Sequence, residues 1–298
     1  MKFASDYSKM CNVVLTTEQS IKDLNLLDLR GRVYVPLDIV HLLFNRLERE
    51  QPSVAFTLVS ACSDFGLEYQ KENPLWLDMQ KWLQMMSVPQ DLGQRPLILA
   101  PRGDIENCKV SDRFSVKMNS WTRSTFDRIP SQVLVWYCVN ANIAYQDRLK
   151  SIPFGLPDWA RNIDFGKFQN RTKQPKIYVN FQLNNATRAS LRKNLKFHPN
   201  FFVRENELPY EEFLEEMSQY QFVLCPRGNG ADQYRMIEAT YCKSLPICLN
   251  EIWTKSYDKF PVIKINSWAD LNNPIEFFQE KAKMCISLIP SSINEVLS

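Results

Sequence analysis

The sequence lacks the features by which several protein classes are recognised. Its longest apolar run, Val133–Val139, is far shorter than the roughly 20 residues that a membrane helix requires. Residues 1–6 carry no apolar run of the secretory type, and the eight cysteines form no Cys-x-x-Cys pair. We therefore expect a cytoplasmic protein in a reducing setting, with no membrane span and no disulfide framework.

The low net charge and the absence of several sequence motifs disfavour further classes of protein. The formal net charge is +3, so nucleic acid is not expected as the main partner. Two histidines and dispersed cysteines do not favour a structural zinc site. The chain has no GxxxxGK loop, no GxSxG elbow and no GxGxxG near its amino terminus. These absences disfavour phosphate-loop kinases, hydrolases with a nucleophile elbow and dinucleotide-binding enzymes.

Strand-like and helix-like segments alternate along the chain. Residues 54–60 and 132–139 are nearly continuous apolar strands, and residues 37–47 have the apolar stripe of an amphipathic helix. A second alternating set begins at residue 177. This alternation predicts an α/β protein in which helices cover both faces of parallel sheets.

The same pattern predicts two domains. A polar, basic stretch over residues 162–175 is typical of a linker. We therefore predict a first domain over residues 1–160 and a second over residues 161–274. A helix over residues 275–298 is expected to pack back on the first domain.

The most informative segment is residues 222–238, Phe-Val-Leu-Cys-Pro-Arg-Gly-Asn-Gly-Ala-Asp-Gln-Tyr-Arg-Met-Ile-Glu. It predicts a strand, a glycine-rich loop and a helix, and Asp232 is placed to cap that helix. Backbone N–H groups and the helix dipole at such a loop can hold a diphosphate. Arg235 and Glu238 are three residues apart and project from one helical face. A cation for phosphate and a carboxylate for ribose hydroxyls would suit a nucleotide-sugar.

This segment resembles the carboxy-terminal signature of exostosin-like glycosyltransferases, in which a strand ending in Cys-Pro-x-Gly precedes an arginine, a glutamate and an apolar return strand. Residues 152–156, residues 178–181 and Arg192 are also similar. The resemblance covers about half of the chain, mainly from residue 135 onward, and is to compact bacterial and algal-virus members. The family usually has a glycine before the return strand, where this chain has Lys243-Ser244, so we expect that turn to differ. The matching residues are Cys225, Pro226, Arg227, Gly228, Gly230, Asp232, Arg235, Glu238 and 245–247.

The resemblance implies a fold and a reaction. The fold is GT-B, two Rossmann-like domains facing a cleft, with the donor held mostly by the second. The reaction is an inverting transfer of a sugar from a UDP-linked donor to a hydroxyl of a glycan acceptor. Likeness to the algal-virus members favours xylose, while glucuronic acid, galactose and arabinose stay open. The alternative is an inactive relative that binds a sugar nucleotide or glycan without turnover.

Roles for the donor-site residues follow from their charge and size. Glycines let the backbone approach the diphosphate, arginines offset the growing negative charge of the leaving group, and Glu238 accepts hydrogen bonds from ribose. We predict donor contacts by Arg227, Gly228, Asn229, Gly230, Arg235, Glu238, Arg188 and Asn180.

An inverting reaction also needs a base for the acceptor hydroxyl. Asp64 is the first choice because it follows a buried strand of the first domain. Asp38 and His41, on the preceding helix, are the alternatives. No Asp-x-Asp occurs in the chain, which argues against a metal-bridged donor, so we expect neither a metal nor a cofactor.

Overall fold

The structure, a computed structural model, describes residues 6–37, 39–61, 129–141, 148–183, 186–228 and 232–286. The chain divides into two compact units. The N-terminal unit is Met10–Lys150, and the C-terminal unit joins Met1–Lys9 to Ser151–Ser298. The described residues form two five-stranded sheets with helices between the strands, which confirms the α/β prediction.

The first sheet has its strands in chain order, β1-β2-β3-β4-β5, and the pairs from β1 to β4 are parallel. Its core contains Trp136, which is fully buried and packs edge-to-face on Phe44 of α3 at a centroid distance of 5.3 Å. The strands are β1 (Val13–Val14), β2 (Gly31–Tyr34), β3 (Phe56–Ser60), β4 (Val133–Val139) and β5 (Leu149–Ile152). Among the described residues before β4, the helices are α1 (Asp6–Lys9), α2 (Glu18–Asp23) and α3 (Val40–Glu50).

Helix α3 forms where the apolar spacing predicts a helix, although it begins at Val40 rather than residue 37. Val40, Leu43, Phe44 and Leu47 are all buried, because they recur on one face of the helix and pack into the core of the first sheet. The predicted elements over residues 74–86 and 96–100 lie outside the described residues.

The second sheet has the order β10-β9-β8-β6-β7, with every neighbouring pair parallel. Counted within this sheet, the order is 2-1-3-4-5, a doubly wound arrangement in which the direction of strand addition reverses between β6 and β8. The strands are β6 (Gln174–Val179), β7 (Phe201–Val203), β8 (Tyr220–Leu224), β9 (Leu245–Leu249) and β10 (Ile263–Ile265).

Both faces of the second sheet are covered. Along β6, Tyr178 belongs to one apolar cluster, while Ile177 and Val179 belong to another, because successive strand side chains point to opposite faces. In the described part of this unit, the helices after α1 are α4 (Gly166–Gln169), α5 (Ala186–Leu195), α6 (Tyr210–Met217), α7 (Tyr234–Tyr241) and α8 (Ile275–Ile286).

The predicted domain organisation differs from the observed one in four ways. The units divide after Lys150 rather than residue 160, and residues 162–175 are not a linker, because Phe165 and Phe168 are buried in the second unit's core. The described part of the last helix, α8, buries Phe278 and Ala282 in the core of the second sheet, whereas packing on the first domain was predicted. Helix α1, at the start of the chain, also belongs to the C-terminal unit.

The end of α7 is a turn in which a lysine stands where glycine is usual. Lys243 adopts a left-handed conformation with φ 54°, and its N–H binds the Thr240 carbonyl. The Ser244 N–H reaches back to the Ala239 carbonyl, which completes the hydrogen-bond pattern of a Schellman motif. The turn therefore keeps the geometry that usually selects glycine, with a lysine in that position.

In the part of the chain that the structure describes, no helix combines the length and apolar character needed to cross a bilayer.

Candidate functional site

The candidate site lies at the carboxyl ends of β6 and β8, where the strand order of the second sheet reverses. In open α/β sheets, ligands bind in the crevice at such a reversal, because the flanking loops diverge to opposite faces. Asn180 directly follows β6, and Cys225 directly follows β8. The loop that follows β8, described as far as Gly228, therefore stands at the position that this topology favours for a ligand.

Arg188, on α5, braces the loop that follows β8. It is 7% exposed, and its guanidinium donates to the Arg227 carbonyl at 2.9 Å and the Pro226 carbonyl at 3.0 Å. It also donates to the Gln233 side chain at 2.8 Å and the Gln182 carbonyl at 3.3 Å. Burial lowers the pKa of Arg188 to about 9, which leaves the group charged at neutral pH. These hydrogen bonds hold the loop and place the positive charge of Arg188 beside the loop's carbonyls.

Gln233 closes the same loop from the other end. Its amide nitrogen donates to the Pro226 carbonyl at 2.5 Å, while its amide oxygen accepts from Arg188. Gly228 lies against the guanidinium of Arg188, and a Cβ at position 228 would lie 3.0 Å from Nη2 of that group. A residue with a Cβ at this position would therefore require Arg188 to shift by a few tenths of an ångström. The predicted role of the glycine, close approach of the backbone to the diphosphate, stays a prediction.

Arg235 and Glu238 come together on α7 as their spacing predicts. Nε of Arg235 lies 3.3 Å from Oε2 of Glu238, and the guanidinium carbon lies 4.2 Å from the centre of the Phe213 ring. Nη1 of Arg235 donates to the carbonyl of Asn180, which links the two loops at the strand reversal. The Arg235 side chain is 18% exposed, and that of Glu238 is 5% exposed. Arg235 is therefore the member of the pair that solvent or a ligand can reach.

Glu238 is held by an aromatic residue of α6. The hydroxyl of Tyr210 donates to Oε1 of Glu238 at 2.9 Å. Burial raises the pKa of Glu238, and the Arg235 charge acts in the opposite direction. Burial and the Glu238 carboxylate together raise the pKa of Tyr210. In this arrangement Glu238 orients Arg235 and Tyr210, and its predicted contact with ribose stays a prediction.

No protein-family model matches the chain, and no curated protein matches it. The geometry of the site and the quoted sequence resemblance are therefore the basis for a functional proposal.

Asp232 does not cap α7 as predicted, because the residue at the N-cap position is Gln233 and its side chain makes no capping bond. Asp232 is buried instead. Its Oδ1 accepts from the Gln233 N–H at 2.6 Å, and its Oδ2 accepts from the Phe154 N–H at 2.8 Å. The Tyr257 hydroxyl lies 2.8 Å from both oxygens. Burial raises the pKa of Asp232 to about 7.

The Phe154 amide is presented by a turn that needs glycine. Gly155 has φ 88°, a left-handed conformation that residues with a Cβ rarely adopt. The sequence similarity over residues 152–156 pointed to this turn, but nothing in the spacing connected it to Asp232. Tyr257, which completes the cluster, lies in the 3₁₀ helix Ile252–Tyr257 and carried no signal in the sequence.

The remaining predicted residues are less informative. Asp64, Asp38, Asn229 and Gly230 lie outside the described residues, and of His41 only the backbone, within α3, is described. The backbone carbonyl of Arg227 accepts a hydrogen bond from Arg188. Among the described ranges, no three His, Cys, Asp or Glu side chains form a group that could hold a metal ion. Independence from metal stays a prediction.

Proposed function

We propose that this protein is an inverting glycosyltransferase of GT-B type that transfers a sugar from a UDP-linked donor to a glycan hydroxyl. The observation that carries the proposal is the convergence of Arg188, Arg235 and a glycine-containing loop at the strand reversal of a doubly wound sheet. Two guanidinium groups at this position would stabilise the negative charge that develops on a leaving diphosphate.

The arrangement supports a division of labour between the arginines. Arg188 is committed to loop carbonyls and acts through its charge and through the shape it gives the loop. Arg235 is partly exposed and is oriented by Glu238 and by the Asn180 carbonyl, so it is the candidate for direct contact with phosphate. A planar guanidinium held in one orientation suits bidentate binding of phosphate oxygens.

Binding of UDP tests the site. In Arg235→Met, we expect the affinity for UDP to fall about tenfold or more, which corresponds to about 1.4 kcal/mol. Lys283→Met is the matched control, because it removes the same charge from an exposed position on α8 (side chain 71% exposed). Equal thermal stabilisation by UDP in wild type, Arg235→Met and Lys283→Met would contradict the assignment.

An assay of donor hydrolysis distinguishes an active glycosyltransferase from the inactive alternative, a protein that only binds the donor. Each common UDP- and GDP-sugar is incubated with the protein, and slow release of free nucleotide is measured. An active transferase is expected to hydrolyse one donor preferentially, in excess EDTA as well as without it. Asp64→Asn should abolish transfer to an acceptor while leaving UDP affinity unchanged, and full activity in that variant would assign the base elsewhere. Binding of UDP without hydrolysis or transfer of any donor would favour the inactive alternative.

A further inference from the structure

Trp159 presents an exposed ring beside the candidate site. It lies in the 3₁₀ helix Asp158–Asn162, and it is 65% exposed. Leu156 and Ala160, on either side of it in sequence, are fully buried in the core of the C-terminal unit and anchor the segment that carries the ring. A tryptophan offers a large and rigid contact surface at a low cost in conformational entropy, so an exposed one on an anchored segment suits the binding of a ligand.

Two tyrosines hold the Trp159 ring at the edge of the sheet where the candidate site lies. Its ring centre is 5.4 Å from that of Tyr234 and 6.4 Å from that of Tyr210, with interplanar angles of 75° and 77°. Tyr234 is the first residue of α7, and Tyr210 is the first residue of α6. Helices that follow parallel strands begin at the carboxyl ends of those strands, so Trp159 lies at the same edge as the loop after β8.

Tyr210 connects Trp159 to the Arg235–Glu238 pair. Its ring makes an edge-to-face contact with Trp159, and its hydroxyl donates to Oε1 of Glu238 at 2.9 Å. Oε2 of the same carboxylate lies 3.3 Å from Nε of Arg235. A guanidinium, a carboxylate and an exposed aromatic ring therefore follow one another through direct side-chain contacts. Diphosphate, ribose and base follow one another in the same order in UDP.

We propose that Trp159 is a donor-binding residue that stacks on the uracil base of the nucleotide. This inference rests on the proposed function, because it assigns the base of the donor to the same site. Stacking uses the π-face that every base has, so Trp159 contributes affinity for the nucleoside and does not by itself select uracil.

Calorimetric titrations with UDP and with pyrophosphate test the assignment, because pyrophosphate has no base. In Trp159→Leu, we expect the affinity for UDP to fall about tenfold, as for the loss of one base stacked on an aromatic side chain, while the affinity for pyrophosphate stays unchanged. Trp159→Phe keeps an aromatic ring and should bind UDP within about threefold of wild type. Arg235→Met, in contrast, should weaken the binding of both ligands.

Phe197→Leu is the matched control for the loss of an exposed aromatic ring. Phe197 is 87% exposed and directly precedes the turn into β7, so it lies towards the amino ends of the parallel strands, at the edge opposite the candidate site. Its substitution should change the affinity for neither ligand.

Tryptophan fluorescence gives a readout that a purely structural role would not change. UDP should quench the emission of wild type, because the base stacks on the indole. The quenching should be smaller in Trp159→Phe, although that variant still binds UDP. Since Trp159 is exposed, we expect its replacement to leave the melting temperature nearly unchanged.

The outcomes separate this inference from the proposed function. Binding of UDP that depends on Trp159, without hydrolysis or transfer of any donor, would support the stacking role and contradict the proposed function. Equal affinities of wild type and Trp159→Leu for UDP, with weaker binding by Arg235→Met, would overturn the stacking role and leave the diphosphate site intact. Quenching by xylohexaose but not by UDP would assign the ring to a glycan and overturn the inference. Failure of wild type to bind UDP would contradict both.

Discussion

Gly228→Ala tests the packing of the loop against Arg188. A Cβ at this position would lie 3.0 Å from Nη2, 3.5 Å from Cζ and 3.8 Å from Nη1 of Arg188. The backbone itself does not require glycine, because the φ of Gly228 is not positive. Any loss of stability in the alanine variant therefore measures the steric contact rather than a strained backbone.

The cost depends on whether Arg188 can move away. Its guanidinium is held by the Pro226 and Arg227 carbonyls and by the Gln233 and Gln182 oxygens, so a shift of a few tenths of an ångström weakens several hydrogen bonds. We expect a loss of about 1–3 kcal/mol in the free energy of unfolding, as for other overpacked buried sites. Urea denaturation monitored by tryptophan fluorescence measures this loss of stability. The slope of the unfolding free energy against urea concentration should be the same in the variant and in wild type.

Two comparisons make this result decisive. Gly166→Ala is the control, because its Cβ would approach Oδ1 of Asp164 at 2.9 Å, but Asp164 is exposed and can rotate away with the loss of only one exposed hydrogen bond, from the Gly166 N–H. That substitution should change stability by less than about 0.5 kcal/mol. In an Arg188→Met background, where the guanidinium is absent, Gly228→Ala should also cost less than about 0.5 kcal/mol. Equal costs of Gly228→Ala in both backgrounds would refute the steric explanation.

Three further predictions concern stability. Lys243→Gly should raise the free energy of unfolding by about 0.5–1 kcal/mol, because glycine adopts the left-handed conformation without the Cβ penalty, and a lower melting temperature would contradict this. Ser60→Ala should cost about 1–3 kcal/mol in chemical denaturation, since it leaves the buried Trp136 N–H without its acceptor, whereas the exposed Ser131→Ala should be nearly neutral. Relative to Asp232→Asn, wild type should lose up to about 4 kcal/mol as the pH rises from about 4 to about 8. The sign follows from a folded pKa of about 7 above the ordinary value of 3.8, and a constant difference between the two proteins would exclude it.

Local patterns were sufficient to predict most elements of the described second sheet and its helices. The apolar runs at β6, β8 and β9 are short and bounded by polar residues, and the stripe at Phe213, Leu214 and Met217 recurs with the period of a helix. The Arg235–Glu238 pair was predictable for the same reason, since residues three apart on a helix are neighbours. The domain boundaries were not predictable in this way. The polar, basic composition of residues 162–175 is typical of a linker, although Phe165 and Phe168 are buried in the core.

The sequence by itself therefore determined the alternation of strands and helices, the glycine-rich loop after β8 and the shared face of Arg235 and Glu238. Only the tertiary structure decided which distant groups meet there: Arg188 on the Pro226 carbonyl, Tyr210 on Glu238, and Asp232 on Phe154 and Tyr257. The physical reason is that these contacts depend on the order in which parallel strands join the sheet. The spacing of residues along the chain does not determine that order. Burial raises the pKa of Asp232, and this burial arises only when the segments pack together.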